Sequence, residues 1–318
     1  MSYISTLYRD MAIRTMRSFP NMRGFGVLSN KINSLLLKSG CSPLVLAQMK
    51  LDYEMLIDMR SFTESYALYS GEYDTQKIRF LMALMQRDSV FVDVGANVGF
   101  YTVPLAKKAS TVGGKVYAFE PHPSNFSRLE HNINVNKMEK YVNSINVGLS
   151  VSSGKAELTL REDFAHGSDT GNAAIYINDD DQAYPTVKIP LRSLDSMYGN
   201  DIHRIDIIKL DIEGHEDMFM KGAVNAVGQE RPIIMMEVNK YYYSRRHINL
   251  YYDIIDKLSP SYGVYIPKSS KKIKISRNDH FNSLSRVNDF ESCAEVDNAF
   301  LIPDEKLENA FQALRSLG

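Results

Sequence analysis

Charged side chains are concentrated in the segment KLDIEGHE, which begins at Lys209 and directly follows IDII, a run that is apolar except for Asp206. If this segment ends a buried strand, alternation along the strand puts Lys209, Asp211 and Glu213 on one side. A carboxylate there can remove a proton from a hydroxyl group, and so can His215, because an unperturbed imidazole has a pKa of about 6.5. The alternative is that Lys209 forms an ion pair with Asp211 or Glu213 that only tethers the strand. The candidate catalytic residues are therefore Asp211, His215, Lys209 and Glu213.

Two further oxygen-bearing side chains, Glu237 and Asn239, end the next apolar run, PIIMMEVN. Together with Asp211 they offer the oxygen ligands that a hard divalent ion such as Mg²⁺ or Mn²⁺ prefers. Such an ion would polarise an oxygen of the substrate. The same carboxylates are equally suited to binding substrate hydroxyls, so the sequence leaves a metal site open as one of two hypotheses.

A glycine-rich segment, VFVDVGANVG, carries Asp93, Gly95, Asn97 and Gly99, and Glu120 ends the following apolar run. A dinucleotide site requires the spacing G-x-G-x-x-G, which places a pyrophosphate on a helix N-terminus. Here an acidic residue precedes the pattern G-x-N-x-G, and an acid suits an ammonium group better than a pyrophosphate. A glutamate at the end of the second strand accepts ribose hydroxyls. The pattern favours S-adenosylmethionine (SAM) over a nicotinamide cofactor, and the alternative is a glycine-rich packing turn.

These side chains need a scaffold in which several buried strands end at one edge. From residue 89 onward, apolar runs alternate with helices of about a dozen residues, which is typical of a parallel sheet covered on both faces. We expect a doubly wound, mostly parallel α/β sheet of seven strands, with ligands at the carboxyl ends of the strands. The runs that predict its strands are 90–95, 115–120, 142–149, 205–214, 231–239, 262–267 and 299–303.

Five motifs resemble, in order and spacing, those of the FkbM-type SAM-dependent methyltransferases: VFVDVGANVGFYT, AFEPHPSNFSRLEHNINVN, INVGLS, IDIIKLDIEGHE and RPIIMMEVN. The segment LIDMRSFTESYALYSGEYD resembles the usual lead-in of that family, so the resemblance covers roughly residues 45–303. It implies a Rossmann-like class I methyltransferase fold and methyl transfer from SAM to oxygen, with hydroxyls of sugars, glycans or polyketide-type metabolites as acceptors. The cofactor residues that it implies are Asp93, Gly95, Asn97, Gly99 and Glu120, with an adenine wall near Gly148 and Leu149.

The remaining segments predict the domain organisation. We expect a helical and β extension over 1–75, a methyltransferase domain over 76–303 and a C-terminal helix over 304–318. A polar insertion at 151–190 interrupts the strand-helix alternation, and an insertion of this kind is usually a functional loop or disordered. His166 and Ser168 in it are candidates for covering the acceptor site, and a mobile exposed loop is the alternative.

Tyrosines and basic residues alternate after the run that ends at Asn239. The group consists of Tyr241, Tyr242, Tyr243, Arg245, Arg246, His247, Tyr251 and Tyr252. Tyrosines stack on sugars, and aromatic side chains interleaved with arginines also suit single-stranded nucleic acid. Packing in the core or on the surface is the third interpretation. A nucleic-acid substrate is disfavoured because the strand that ends at KLDIEG lacks the N/D-P-P-Y pattern that grips a flipped base.

The first forty residues hold six basic side chains and one acidic side chain, Asp10, with Leu7, Met11, Ile13 and Met16 between them. This composition fits a basic amphipathic segment that touches a membrane surface or an acidic partner. The alternative is a solvated helix face that packs against the main domain.

Lys and Arg number 37 and Asp and Glu number 38, so the net charge of −1 excludes a surface devoted throughout to a polyanion. No run of 18 apolar residues predicts a transmembrane helix, and charged residues interrupt any signal-like segment near the start. Two cysteines, Cys41 and Cys293, argue against a disulfide scaffold and for a reducing compartment. The sequence predicts a cytoplasmic enzyme with a small-molecule or glycan acceptor. An NAD-linked oxidoreductase or epimerase and a non-catalytic binding module remain the alternatives.

Overall fold

The structure is a computed structural model that describes residues 3–18, 24–160, 173–175, 183–258, 261–269, 281–287 and 298–317. Its α-helices are α1 (Tyr3–Arg17), α2 (Phe25–Lys38), α3 (Phe62–Ser70), α4 (Thr75–Leu84), α5 (Thr102–Val112), α6 (Pro123–Val135), α7 (Leu194–Met197), α8 (Glu216–Lys221), α9 (Val224–Glu230), α10 (Lys240–Arg245) and α11 (Leu307–Arg315). Its strands are β1 (Leu44–Met49), β2 (Tyr53–Asp58), β3 (Val90–Val94), β4 (Lys115–Phe119), β5 (Val142–Ile145), β6 (Gly148–Leu149), β7 (Gly154–Leu160), β8 (Ala173–Ile175), β9 (Thr186–Arg192), β10 (Ile207–Leu210), β11 (Ile233–Glu237), β12 (Tyr262–Ser269), β13 (Phe281–Arg286) and β14 (Asn298–Pro303).

A large sheet of eight described strands, in the order β13-β12-β14-β11-β10-β3-β4-β5, forms the centre of the molecule. The five strands from β11 to β5 run parallel, and β14, β12 and β13 are antiparallel. The predicted doubly wound, mostly parallel α/β fold is confirmed, with β13 as one strand beyond the seven expected. Because the chain order reverses between β3 and β10, the ligand crevice of such a sheet is expected there.

Both faces of the sheet are buried, which explains why its central strands are continuous apolar runs. On one face, Phe91 of β3 belongs to the same apolar cluster as Leu81 of α4 and Leu105 of α5. On the other face, Val92 belongs to the same cluster as Phe219 of α8. Successive residues of β3 therefore point to opposite layers, and the helices hold the sheet edge rigidly.

A second, smaller sheet lies beside the first and has the order β6-β9-β7-β8. The run 142–149, expected as one strand, is divided between β5 of the large sheet and β6, which pairs with β9. The polar insertion at 151–190 is thus partly regular, because β7 and β9 pair antiparallel within it. His166 and Ser168, the candidates for covering the acceptor site, lie outside the described residues.

The N-terminal extension is hydrogen-bonded to α6 through asparagine side chains. Asn132 Oδ1 accepts the N–H of Leu56 in β2 at 2.7 Å, and Asn136 Oδ1 accepts the N–H of Glu54 at 2.9 Å. The Asn136 amide also donates to the carbonyl of Glu54 at 2.8 Å. Side chains of a helix therefore pair with the edge of β2 as a neighbouring strand would.

The extension also shares a core with the segment that follows β3. Met55 and Tyr69 of the extension belong to one apolar cluster with Val98, Phe100 and Val103. Residues before and after the boundary expected at residue 75 therefore pack together, and the division of the chain at 75 and 303 stays a prediction. Among the helices that the structure describes, none combines the length and apolarity needed to cross a membrane.

Candidate active site

A cavity lies at the carboxyl ends of β3, β4 and β10, where the strand order reverses. Its lining residues are Ser61, Thr63, Glu64, Tyr73, Gly95, Ala96, Asn97, Val98, Phe100, Tyr101, Glu120, Pro121, Asn125, Gly148, Leu149, Leu158, Ile175, Ile189, Lys209, Asp211, Ile212, Glu213 and His215. Most of the residues singled out in the sequence are in this set, although they lie up to 120 residues apart in the chain. The fold therefore brings the glycine-rich segment and the charged segment KLDIEGHE to one place.

The loop after β3 passes so close to the end of β10 that a side chain is excluded at Gly95. That residue has φ +77°, and a Cβ atom on it would lie 2.0 Å from the backbone oxygen of Asp211. At Gly99, with φ +98°, a Cβ atom would lie 2.8 Å from the Leu129 side chain on α6. The glycines thus allow the loop to sit between β10 and α6 and present its backbone to the cavity.

Glu120 faces the cavity from the end of β4, and the backbone around it holds its carboxylate in place. Oε2 accepts the N–H of Asn97 at 2.8 Å, and Oε1 accepts the N–H of His122 at 2.9 Å. Burial raises the pKa of Glu120 to about 7, although these two backbone N–H groups oppose the rise. Each carboxylate oxygen retains a second lone pair, so Glu120 can also accept hydrogen bonds from ligand hydroxyls.

Beside Glu120 the cavity combines an apolar wall with one unsatisfied polar atom. Gly148 and Leu149 lie in β6, and Leu158 and Ile189 are buried in the strands beyond it. Asn125 Oδ1 is buried and has no hydrogen-bond partner among the residues that the structure describes. A buried polar atom without a partner is costly, and a ligand with a hydrogen-bond donor would satisfy it. The surroundings fit an apolar ring that carries polar groups on its edge.

Asp93 is at the end of β3 as expected, but its carboxylate does not line the cavity. The residue is 0% exposed, and Oδ2 accepts the hydroxyl of Thr102 at 2.6 Å. Lys209 Nζ lies 3.5 Å from Oδ1. The carboxylate that we expected to face the ammonium of a cofactor instead faces the ammonium of Lys209, which corrects the direct contact inferred from the sequence.

Lys209 connects three parts of the site. Its ammonium donates to the carbonyl of Gly95 at 2.7 Å and lies 3.4 Å from Oδ2 of Asp211. Burial lowers the pKa of Lys209, but the charges of Asp211 and Asp93 outweigh it and hold the pKa above the ordinary value. Lys209 is therefore charged, and its contacts match the tethering ion pair given above as the alternative to catalysis.

Three carboxylates meet at the ends of β10 and β11. Asp211, Glu213 and Glu237 each have an oxygen within 4.8 Å of the other two, among the residues that the structure describes. Glu237 Oε2 is buried and has no hydrogen-bond partner in the described part of the chain. Burial, together with the charges of Asp211 and Glu213, raises the pKa of Glu237 well above the usual value. The Asn239 amide donates to Glu237 at 3.5 Å, so this residue supports the cluster from one side. The donor set suits a hard divalent cation, with Glu213 in addition to the three ligands expected from the sequence.

His215 lines the cavity, but its environment differs from the one expected. Its Nε2 lies 2.9 Å from the Ser150 hydroxyl. Burial lowers its pKa to about 4, with a further contribution from the charge of Arg246. The pKa of His215 therefore lies below the unperturbed value that we expected, which makes it a weaker base, and its catalytic role stays a prediction.

The cluster of tyrosines and arginines after β11 is mainly structural where it is described. Tyr242 and Tyr243 are buried, and the hydroxyl of Tyr243 donates to the carbonyl of Glu237 at 2.9 Å. Arg246 is ion-paired with Asp217 at 2.7 Å. The side chains of Tyr241 and Tyr251 lie outside what the structure describes. For Tyr242, Tyr243 and Arg246, packing accounts for the residues, and no sugar or nucleic-acid contact is needed.

The comparison with protein families decides the class of the molecule. The family model of the methyltransferase FkbM domain matches residues 93–264, which is more than half of the chain. The chain belongs to the FkbM methyltransferase family. The resemblance noted in the sequence is thus confirmed, and an NAD-linked oxidoreductase is set aside.

Two relatives extend this result. The chain is 27% identical over 211 residues to the hexuronic acid methyltransferase AglP of Haloferax volcanii, which covers 64% of this chain and 79% of the relative. It is 22% identical over 196 residues to Methyltransferase 1 of Beauveria bassiana, which covers 52% of this chain and 76% of the relative.

Solved structures with a similar fold include the methyltransferase FkbM of Methylobacillus flagellatus KT, with a TM-score of 0.41, 18% identity and coverage of 65% of this chain and 49% of that one. The O-methyltransferase of Bacillus cereus in complex with SAH has a TM-score of 0.40 and 13% identity, with coverage of 72% of this chain and 80% of that one.

This FkbM-family methyltransferase has cavity residues that the sequence analysis missed. Ser61, Thr63 and Tyr73 line the cavity but precede the matched family segment. One signal was present: Ser61 accepts the N–H of Glu64 and caps α3, and a serine followed three residues later by glutamate marks a helix start. Asn125 was missed because nothing in its neighbourhood PSNF indicates which face of α6 meets the cavity.

Proposed function

We propose that this methyltransferase transfers the methyl group of SAM to a hydroxyl oxygen of a sugar or sugar-containing acceptor. The observation that carries the proposal is the arrangement of the cavity. At one end the hydrogen-bonding carboxylate of Glu120 lies beside an apolar wall, and at the other end lies the carboxylate of Asp211. The relative named as a hexuronic acid methyltransferase supports the acceptor class.

The cofactor end offers partners for the ribose and the adenine of SAM. The carboxylate of Glu120 accepts the ribose hydroxyls, and the loop of Gly95, Asn97 and Gly99 approaches with its backbone. Gly148 and Leu149 contact the adenine. Asp93 acts indirectly. It forms an ion pair with Lys209, and the Lys209 ammonium donates to the carbonyl of Gly95 in the cofactor loop. When bound, SAM supplies a carbon that its sulfonium has already activated.

The acidic end prepares the acceptor. Asp211 has a side chain that is 39% exposed and lies in the cavity wall, so it can accept the proton of an acceptor hydroxyl. The ammonium of Lys209 lies 3.4 Å from its Oδ2 and helps to hold the carboxylate in place. Neutral His215 and Ser150 form a hydrogen-bonded wall beside it. Holding the oxygen close to the methyl carbon and in line with the bond that breaks can supply about 7–11 kcal/mol of the barrier.

Asp211, Glu213 and Glu237, with Asn239 beside them, would hold a divalent cation if the enzyme uses one. Such an ion would polarise the acceptor oxygen and lower its pKa. Treatment with EDTA is then expected to abolish turnover, and Mg²⁺ or Mn²⁺ to restore it. Full activity after exhaustive chelation would assign the carboxylates to acceptor binding instead.

The test is incubation of the protein with methyl-labelled SAM and a panel of hexuronic acids and neutral sugars, read by mass spectrometry. The expected product carries one added methyl that survives mild alkali, as an ether does. A methyl that mild alkali removes would indicate an ester on a carboxylate and would contradict transfer to a hydroxyl. Asp211→Asn serves as the control for background transfer.

A further inference from the structure

The two N-terminal helices have outward faces that are apolar and basic. α1 and α2 contact each other and both pack on α3, so they form one outer layer. We propose that this layer docks the protein on the surface of an anionic lipid bilayer. The exposed faces of α1 and α2 together are called the α1–α2 surface below.

On α1, the exposed positions recur at helical spacing and are mostly apolar. Leu7, Tyr8 and Met11 are 51%, 62% and 55% exposed, and Arg14 is exposed one turn further along. The opposite side of the helix contributes Met16 to the core of the extension. The apolar residues on the outer face are therefore separate from the residue that packs α1 against the core of the extension.

On α2, exposed apolar and basic residues follow the same helical spacing over a longer stretch. Val27, Leu28 and Leu35 are 63%, 50% and 69% exposed, and Lys31 and Lys38 are exposed on the same face. These positions follow the spacing of one helix face. Large side chains that are half exposed or more are normal when single, but six on two adjacent helices mark an interaction surface.

The charge of the N-terminal segment points to an anionic partner, and Arg14, Lys31 and Lys38 are basic residues on the exposed helix faces. The first forty residues carry six basic side chains and one acidic side chain, so their charge is +5 and that of the rest of the chain is −6. Asp10, the single acid of this segment, is ion-paired with Arg9 at 2.8 Å. An anionic surface would attract this layer and repel the remainder of the molecule, which orients the protein.

A bilayer fits these residues better than a second copy of the chain does. In a symmetric dimer the same patch meets itself, and Asp10, the only acid of α1 and α2, is already paired with Arg9, so the patch offers no acid to Arg14, Lys31 and Lys38. At a lipid headgroup the apolar side chains enter the acyl boundary, and the long basic side chains extend to the phosphates.

The α1–α2 surface borders the cavity. Phe62, the first residue of α3, is 48% exposed, and its ring lies 3.3 Å from where a Cβ atom of Gly26 in α2 would be. Its neighbours Ser61 and Thr63 line the cavity. Docking through α1 and α2 would therefore bring this side of the cavity close to the bilayer.

The test is co-sedimentation of the full chain with vesicles of phosphatidylcholine alone and of phosphatidylcholine with one quarter phosphatidylglycerol. We expect binding to the anionic vesicles, and a loss of most of that binding in about 0.5 M salt. Lys31→Glu with Lys38→Glu, and separately Leu28→Glu with Leu35→Glu, should each weaken binding by more than about tenfold.

Matched controls replace exposed lysines and exposed valines elsewhere in the chain. Lys140→Glu with Lys155→Glu, and Val151→Glu with Val224→Glu, should bind as the wild type does, and circular dichroism checks that every variant is folded. Absence of binding to anionic vesicles, or equal binding by all variants, would overturn the proposal. A concentration-dependent dimer that Leu28→Glu with Leu35→Glu dissociates, without vesicle binding, would assign the surface to self-association and would also overturn it.

Discussion

Lys209 and Asp93 are register partners on the adjacent parallel strands β10 and β3, and the Lys209 ammonium lies 3.5 Å from Oδ1 of the Asp93 carboxylate. Both side chains are buried, with 5% and 0% of their side-chain surface exposed. The ammonium also binds the carbonyl of Gly95, so the pair sets the position of the loop that lies between the two strands.

Removing the charge of Lys209 alone should be strongly destabilising. Lys209→Met leaves Asp93 buried without its charged partner, and the expected loss in the free energy of unfolding is about 3–5 kcal/mol. Adding Asp93→Asn should restore much of that loss. Denaturant unfolding of the single and double variants measures it, and a double variant less stable than Lys209→Met would show that the two residues do not act as a pair.

Asn132 should couple the extension to the cofactor loop. Its Oδ1 accepts the N–H of Leu56 and its amide donates to the carbonyl of Val98 at 2.8 Å. Asn132→Ala leaves these groups unpaired, at a cost of about 1–3 kcal/mol each, and should weaken SAM binding. Unfolding curves and SAM titrations check both effects, with exposed Asn134→Ala on the same helix as the control. If Asn132→Ala were as stable as the wild type, Asn132 would not couple the extension to the cofactor loop.

The affinity for SAM should fall as the pH is lowered. Burial raises the pKa of Glu120 to about 7, and the ionised form is the one that accepts two ribose hydroxyls. Below pH 7 the Glu120 carboxyl of the free protein holds a proton that SAM binding must release. The Kd for SAM should therefore rise by up to about tenfold for each pH unit by which the pH is lowered. Titrations from about pH 8 to pH 6 measure the slope. Glu120→Gln should bind weakly with a flat profile, and a sloping profile in that variant would place the titrating group elsewhere.

Asp211 should matter for turnover and little for SAM binding. A general base contributes about 10²–10⁴-fold to a rate, so Asp211→Asn should lower kcat by at least about 10²-fold while Kd for SAM stays within about threefold. Initial-rate kinetics and calorimetry separate the two quantities. Asp201→Asn, an exposed acid, is the control, and near wild-type kcat in Asp211→Asn would move the chemistry to another residue.

The parts of the fold that could be predicted are those in which burial produces a recognisable pattern of apolar residues along the sequence. β3, β4, β10 and β11 are continuous apolar runs because both faces of their sheet are covered. The second sheet could not be predicted in the same way, since only two of the seven residues of β7 are buried and the strand lies in a polar insertion.

The candidate site could also be predicted only in part, because its contacts join residues that are far apart in the chain. The sequence placed Asp93 and Lys209 at strand ends, but it contains no information on the register between strands that are more than a hundred residues apart. That register turned a proposed ligand contact into an internal ion pair. The lowered pKa of His215 likewise depends on burial and on the charge of Arg246, which lies 31 residues further along the chain.

The central claim is that SAM occupies the cavity at the ends of β3 and β4, with Glu120 as its principal contact. Calorimetric titration of the purified chain with SAM, with NAD and with SAM after Glu120→Ala tests this claim most directly. Saturable binding of SAM, no binding of NAD and at least about tenfold weaker SAM binding by a folded Glu120→Ala protein are the predicted results. Tight NAD binding without SAM binding, or unchanged SAM affinity in Glu120→Ala, would contradict the account.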